Sequence, residues 1–147
     1  LDFGFWIWLE SKIQNPKSKI VTIVGGALVY DPRLLEHPGD LLHEAGHIAF
    51  TPAAARSALT GHATSDLGEE IAAIAWSYAA VVHLAIDPAI VFHDGGYRGA
   101  SPAFIDNFRA GRFVGVPMLE WAGLAEEKTR RKDPAVAYPR MLKWLRD

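Results

Sequence analysis

The chain is 147 residues long, with 50% hydrophobic and 22% charged residues, a balance that suits one folded domain with an adequate core and excludes a disordered or fibrous polypeptide. A formal net charge of -2, with basic residues spread thinly outside the run at 128–132, offers no face for a phosphate backbone, so nucleic acid is not an expected partner. The absence of cysteine excludes disulfides, thiolate nucleophiles and cysteine-ligated metals, leaves histidine and carboxylate to bind any transition metal, and fits a reducing compartment, with the cytoplasm the expected location.

The first residue is Leu1 and not Met, so the chain is expected to begin inside a longer one. Residues 3–9 carry Phe3, Phe5, Trp6 and Trp8, and residues 19–30 are β-branched and broken by Gly25-Gly26, which predicts a small sheet with a hairpin near the N-terminus. Asp31-Pro32 and His37-Pro38-Gly39 punctuate the chain, and Asp40 stands where an N-cap belongs, so a helix is predicted from about 41 to 50, where Thr51-Pro52 ends it. The small and polar residues of 52–65 read as a surface loop.

A second helix is predicted over 67–86. Asp66 followed by Glu69 forms a capping-box pattern, and Asp87-Pro88 closes the run. Its alanines (Ala72, Ala73, Ala75, Ala79, Ala80) permit close approach of a neighbour, and it is the expected central helix. The apolar stretch within it, 71–86, contains Ser77 and His83 and falls short of the ~20 residues of a bilayer span, so no membrane is expected. Phe92-His93-Asp94-Gly95-Gly96-Tyr97 reads as a turn-rich loop, and Ser101-Pro102 as an N-cap with proline at N1 of a helix ending at Gly111. Short helices are predicted at 117–125 and at 135–146, the last amphipathic through Val136, Met141, Leu142, Trp144 and Leu145. The sum is one α+β domain dominated by helices.

The chemistry is concentrated in His43-Glu44-Ala45-Gly46-His47. Histidines four apart on a helix share one face, as two imidazoles converging on one zinc ion require. Glu44 follows the first of them and projects toward the same cleft, where a carboxylate serves as general base for a metal-assisted hydrolysis. Chance alone would place H-E-x-x-H in a chain of this composition about one time in a hundred, and here an N-cap signal and apolar flanks accompany it.

A catalytic zinc needs a third protein ligand. The metzincin continuation fails, because Phe50 and Ala53 occupy its glycine and third-histidine positions. His62 lies in the loop, while Glu69 and Glu70 open the second helix and are the better candidates. His83 lies off the Glu70 face and reads as a packing residue, and His37 as a loop residue. The tryptophans read as core packing, and Arg130-Arg131-Lys132 as a solvated face.

Over residues 37–77 the chain resembles the gluzincin branch of the zincin metallopeptidases, and especially its small single-domain members, the minigluzincins. There the motif is completed by a glutamate on a following helix, with a small residue three positions on, an aromatic six on and a small one seven on. From Glu70 these are Ala73, Trp76 and Ser77, whereas from Glu69 they are Ala72, Ala75 and Trp76.

The resemblance implies a zincin-like domain in which His43, His47 and Glu70 hold one zinc ion and Glu44 acts as base. It also implies a peptide or protein substrate, extended along the strand near 21–30, and an oxyanion donor from a later loop, here His93 or Tyr97, with Arg98 beside them. Ile74 stands four residues after Glu70, where many gluzincins carry an Asp or Asn that orients a histidine, so the groups fixing the histidine tautomers are expected elsewhere. A zincin-like scaffold serving as a metal-binding regulatory or partner-binding module, and a small-amide hydrolase, are the alternative readings.

Overall fold

The computed structural model describes residues 21–61, 66–126 and 137–147. The aromatic segment at 3–9, His62 and the 128–132 run lie outside the described residues. Strands β1 (Val21–Val24) and β2 (Ala27–Tyr30) form the expected hairpin, paired from Val21↔Tyr30 to Val24↔Ala27. Gly25 and Gly26, at φ 58° and 77°, supply the two left-handed residues that a tight turn between right-twisted strands demands. Alternation sends Val21, Ile23 and Leu28 into the core and leaves Val24 exposed. The free edge of β1 is closed by Gly61, which exchanges backbone hydrogen bonds of 3.3 and 2.7 Å with Ile23.

Helix α1 (Gly39–Phe50) carries the H-E-x-x-H segment. It starts two residues before the expected position, and Asp40 is not its cap: the helix is preceded by Pro38 without a side-chain cap, and Asp40 lies in the first turn. The backbone already turns at 37–41, with Asp40 N bonded to His37 O and Leu41 N to Pro38 O, and the Asp40 carboxylate is engaged by His93 instead. The far end is as expected, with Thr51 extended and its backbone N–H and hydroxyl both donating to His47 O. The expected loop at 52–65 holds a single helical turn, α2 (Ala53–Arg56).

Helix α3 (Leu67–Leu84) is the central element, buried without interruption from Ala72 to Val81, as a helix that is apolar all round must be. Asp66 caps it through Gly68 N at 2.7 Å and Glu69 N at 3.2 Å. It ends two residues before the expected 86 because Ala85 turns left-handed, at φ 55°, and the N–H groups of Ala85 and Ile86 close back on Val82 and Val81. Single 3-10 turns at Pro88–Ile90 and Tyr97–Gly99 lead to α4 (Ser101–Arg109) and α5 (Val116–Trp121). Ser101 is not an N-cap. It is the first helical residue, and its buried hydroxyl donates to His93 O at 2.7 Å. Phe108 of α4 stacks with Tyr78 and Phe92, and Tyr78 stacks with Tyr138, with ring centroids 4.3 Å apart for Tyr78 and Phe108.

The expected C-terminal helix over 135–146 is absent from its described part. Residues 137–147 form an irregular strap whose N–H groups bond to other elements: Tyr138 to Glu126 O, Leu142 and Lys143 to Leu124 O, and Arg146 to Ala49 O. Pro139 would stand inside that helix, where it removes a donor and collides with the preceding turn, so the apolar residues of 137–146 follow the strap's contacts and not a helical stripe. Trp144 accepts a bond from the Trp76 indole at 3.0 Å and meets it edge to face. Trp121, expected in the core, is 68% exposed, with the Arg146 guanidinium 4.4 Å above its ring. No described helix is long and apolar enough to cross a membrane.

Helices α1 and α3 touch most closely where Gly46 faces Ala73. A Cβ on Gly46 would lie 2.9 Å from Ala73 O and 3.1 Å from its Cα, so only a bare α-carbon allows this approach. Gly46→Val is therefore expected to destabilise the fold by about 1–3 kcal/mol through overpacking, with little compensation from helix propensity. An unchanged urea midpoint would contradict the contact.

Candidate metal centre

The close crossing of α1 and α3 brings their polar groups together. Glu70, Ala73 and Ser77 are spaced three and seven along α3 and share one face. Ala73 receives Gly46, and the Ser77 hydroxyl lies 2.7 Å from Ala73 O and 3.2 Å from Leu42 O across the interface. The small residues at the positions that carried the resemblance thus have a packing reason: any bulk there would push the two helices apart. Trp76, on the neighbouring face, ties α3 to the C-terminal strap.

With the helices at this distance, the Glu70 carboxylate reaches both histidines, Oε1 to His43 Nε2 at 3.4 Å and Oε2 to His47 Nε2 at 3.3 Å. The two Nε2 atoms are 3.1 Å apart, and the rings are nearly perpendicular, at 88°. A tetrahedral ion with bonds of about 2.0–2.1 Å holds its ligand atoms about 3.3 Å from one another. The two nitrogens stand near that edge length and each has one Glu70 oxygen at a similar distance, and His43, His47 and Glu70 form a group that could hold a metal ion. Glu69, one position earlier, is exposed, and its backbone N–H belongs to the Asp66 cap.

The local field suits a carboxylate ligand. The hydrogen bonds of His43 and then His47 hold the Glu70 carboxyl well below the usual carboxylate range, against the opposing effect of partial burial, and its place in the first turn of α3 adds the favourable end of the helix dipole. His47 is buried, with its side chain 4% exposed, while His43 at 17% and Glu70 at 39% line the open side. Glu44 presents a buried oxygen, Oε2, with no hydrogen-bond partner. An acceptor withdrawn from water without a donor is costly.

His93 and Tyr97, expected as donors toward a substrate oxyanion, both contact side chains of α1. The Tyr97 hydroxyl lies 3.1 Å from His43 Nδ1, the ring nitrogen turned away from the metal-ligand atoms, and the two rings meet edge to face. His93 Nε2 lies 2.9 Å from Asp40 Oδ1, and its ring stacks on His37 with centroids 3.7 Å apart. Asp40 and His37 belong to this shell although neither is marked as a site residue by its sequence context. Asp40 carried a signal nonetheless, since it lies three residues before His43 and hence on the same helix face. His83 is exposed and packs on Trp144, not on Glu70.

No protein-family model, no curated protein and no solved structure matches the chain. The geometry of these side chains is accordingly what bears on function.

Proposed function

We propose that this chain is a zinc-dependent hydrolase of the gluzincin kind, acting on peptide bonds, with His43, His47 and Glu70 as the metal ligands and Glu44 as the general base. The observation that carries the reading is the convergence of His43 Nε2, His47 Nε2 and the Glu70 carboxylate, the two nitrogens 3.1 Å apart, with Glu70 Oε1 3.4 Å from His43 and Oε2 3.3 Å from His47, and with the unpartnered Glu44 oxygen in the next helical position. Two neutral imidazoles and one carboxylate are the ligand set of a catalytic zinc with an open position, and zinc held there would polarise a carbonyl and bring the pKa of a coordinated water to about 7.

The residues of the chain do the rest. Glu44 takes the proton of the attacking water and delivers it to the leaving amine. Glu70, as the one anionic ligand, would offset part of the cation's charge. The two-residue turn makes Val24↔Ala27 and Thr22↔Val29 the hydrogen-bonded pairs of the hairpin, which directs the backbone groups of Leu28 and Tyr30 to the outer edge of β2. That edge suits an extended peptide, which would add to the sheet as a further strand.

The test is cleavage of a diverse peptide library by purified protein before and after chelation, with zinc restored in a third sample. Peptide cleavage that disappears on chelation and returns with zinc is expected. Turnover of small amides alone would replace the substrate class, and metal uptake with no cleavage of either would favour a binding module.

A further inference from the structure

We propose that Asp40, His93 and Tyr97 form a two-point tether that fixes the ring of His43, with Tyr97 as the positioning residue and the Asp40–His93 pair holding the loop that carries it. The proposal rests on the reading of His43 as a metal ligand.

A histidine that ligates through Nε2 is neutral and carries its proton on Nδ1, so its orientation depends on an acceptor for that proton. Tyr97 Oη, 3.1 Å from His43 Nδ1, is such an acceptor. A tyrosine phenol is neutral near pH 7, so Tyr97 serves as a neutral acceptor. A neutral acceptor orients the ring without making it the stronger electron donor that a carboxylate partner would, and it leaves the bound cation correspondingly more electrophilic.

Tyr97 is held in place against its own preference. Its φ of 53° is in the left-handed region, an outlier for a bulky side chain that persists only where the surroundings impose it. Those surroundings are specific. The Tyr97 ring packs on Phe92 and Phe104, each with a centroid distance of 5.4 Å. The Ser101 hydroxyl bonds to His93 O at 2.7 Å, and Gly96 N bonds to the same carbonyl at 3.0 Å. The loop is then fastened to α1 by His93 Nε2 on Asp40 Oδ1.

Asp40 and His43 are three apart on one face of α1, and His93 and Tyr97 are four apart in the loop, so one loop makes both contacts with one helix face. The His93 imidazole has its other nitrogen, Nδ1, buried with no partner. An apolar ring would stack on His37 without that penalty, and what the imidazole adds is the bond to Asp40.

The experiment reads zinc affinity by competition with a chelator, together with the exchange rate of the His43 Nδ1 proton in nitrogen-15 spectra of the histidine rings. The proteins are wild type, Tyr97→Phe, Asp40→Ala, Asp40→Asn and the Asp40→Ala/Tyr97→Phe double variant, each checked for folding by thermal unfolding. Tyr97→Phe should weaken zinc binding roughly 10- to 100-fold, the scale of a lost outer-shell partner, and expose the Nδ1 proton to fast exchange. Asp40→Ala should move both readouts in the same direction by less, and Asp40→Asn, which keeps an acceptor for His93, should restore them.

The double variant should be no weaker than Tyr97→Phe alone, because Asp40 acts only through Tyr97. Losses that add in the double variant, or a folded Asp40→Ala protein matching wild type in both readouts, would overturn the tether while leaving the metal centre intact. A wild-type protein that takes up no zinc would overturn the metal reading, and with it the tether as a device for a ligand.

Discussion

Glu44→Gln is expected to keep its zinc and lose hydrolysis by roughly 100- to 10,000-fold, the usual contribution of a positioned general base. In activation free energy this is about 3–5 kcal/mol. The amide keeps the shape of the side chain, so the packing of α1 is undisturbed, but it has no site for the proton of the attacking water. Glu44 is not one of the three groups whose ligand atoms converge, and its Oε2 is buried without a partner, so metal content should be unaffected. Rate measurements on the zinc-loaded variant, paired with elemental analysis, check both halves. Loss of metal on this substitution would make Glu44 a ligand, and unchanged turnover would remove it from the chemistry.

The second large effect separates two adjacent glutamates. Neighbours on a helix point about 100° apart, so Glu69 and Glu70 cannot both face the histidines. Glu70 lies within 3.4 Å of both, whereas Glu69 is exposed. Glu70→Ala is expected to weaken zinc binding by more than the roughly 100-fold reached when an outer-shell group is lost. Glu69→Ala should leave affinity unchanged and stability within about 0.5 kcal/mol, as for an exposed side chain away from such features, because the cap is made by the Asp66 side chain to the Glu69 backbone. Chelator competition on both variants gives the answer, and the reverse ranking would place the ligand one residue earlier.

The parts of this molecule that were readable in the sequence are those set by local chemistry. Helical spacing alone puts His43 and His47 on one face. Ala73, Trp76 and Ser77 match the pattern of the resemblance when it is counted from Glu70 and not from Glu69, which is why Glu70 could be preferred without coordinates. Gly25-Gly26 likewise announced the hairpin turn. What could not be read depends on distant partners. An aspartate ahead of a helical run looks like a cap, and only the fold brings His93, 53 residues away, to Asp40. Tyr97 was visible as a polar aromatic in a glycine-rich loop, but its place behind His43 follows from a left-handed backbone that sequence patterns do not encode. The C-terminal segment misled because its apolar spacing imitates a helix, while Pro139 and the bonds its N–H groups make to Leu124 O and Ala49 O favour a strap.

Zinc stoichiometry in wild type and in His47→Ala tests the central claim most directly. His47 is the most buried of the three residues, and its substitution removes one ligand without altering Glu44 or Glu70. Elemental analysis after exhaustive dialysis against zinc-free buffer should find close to one equivalent in wild type and essentially none in a His47→Ala protein that remains folded by circular dichroism. Equal zinc content in the two proteins, or none in wild type that has been loaded with the metal, would contradict the assignment of His43, His47 and Glu70 as a metal centre.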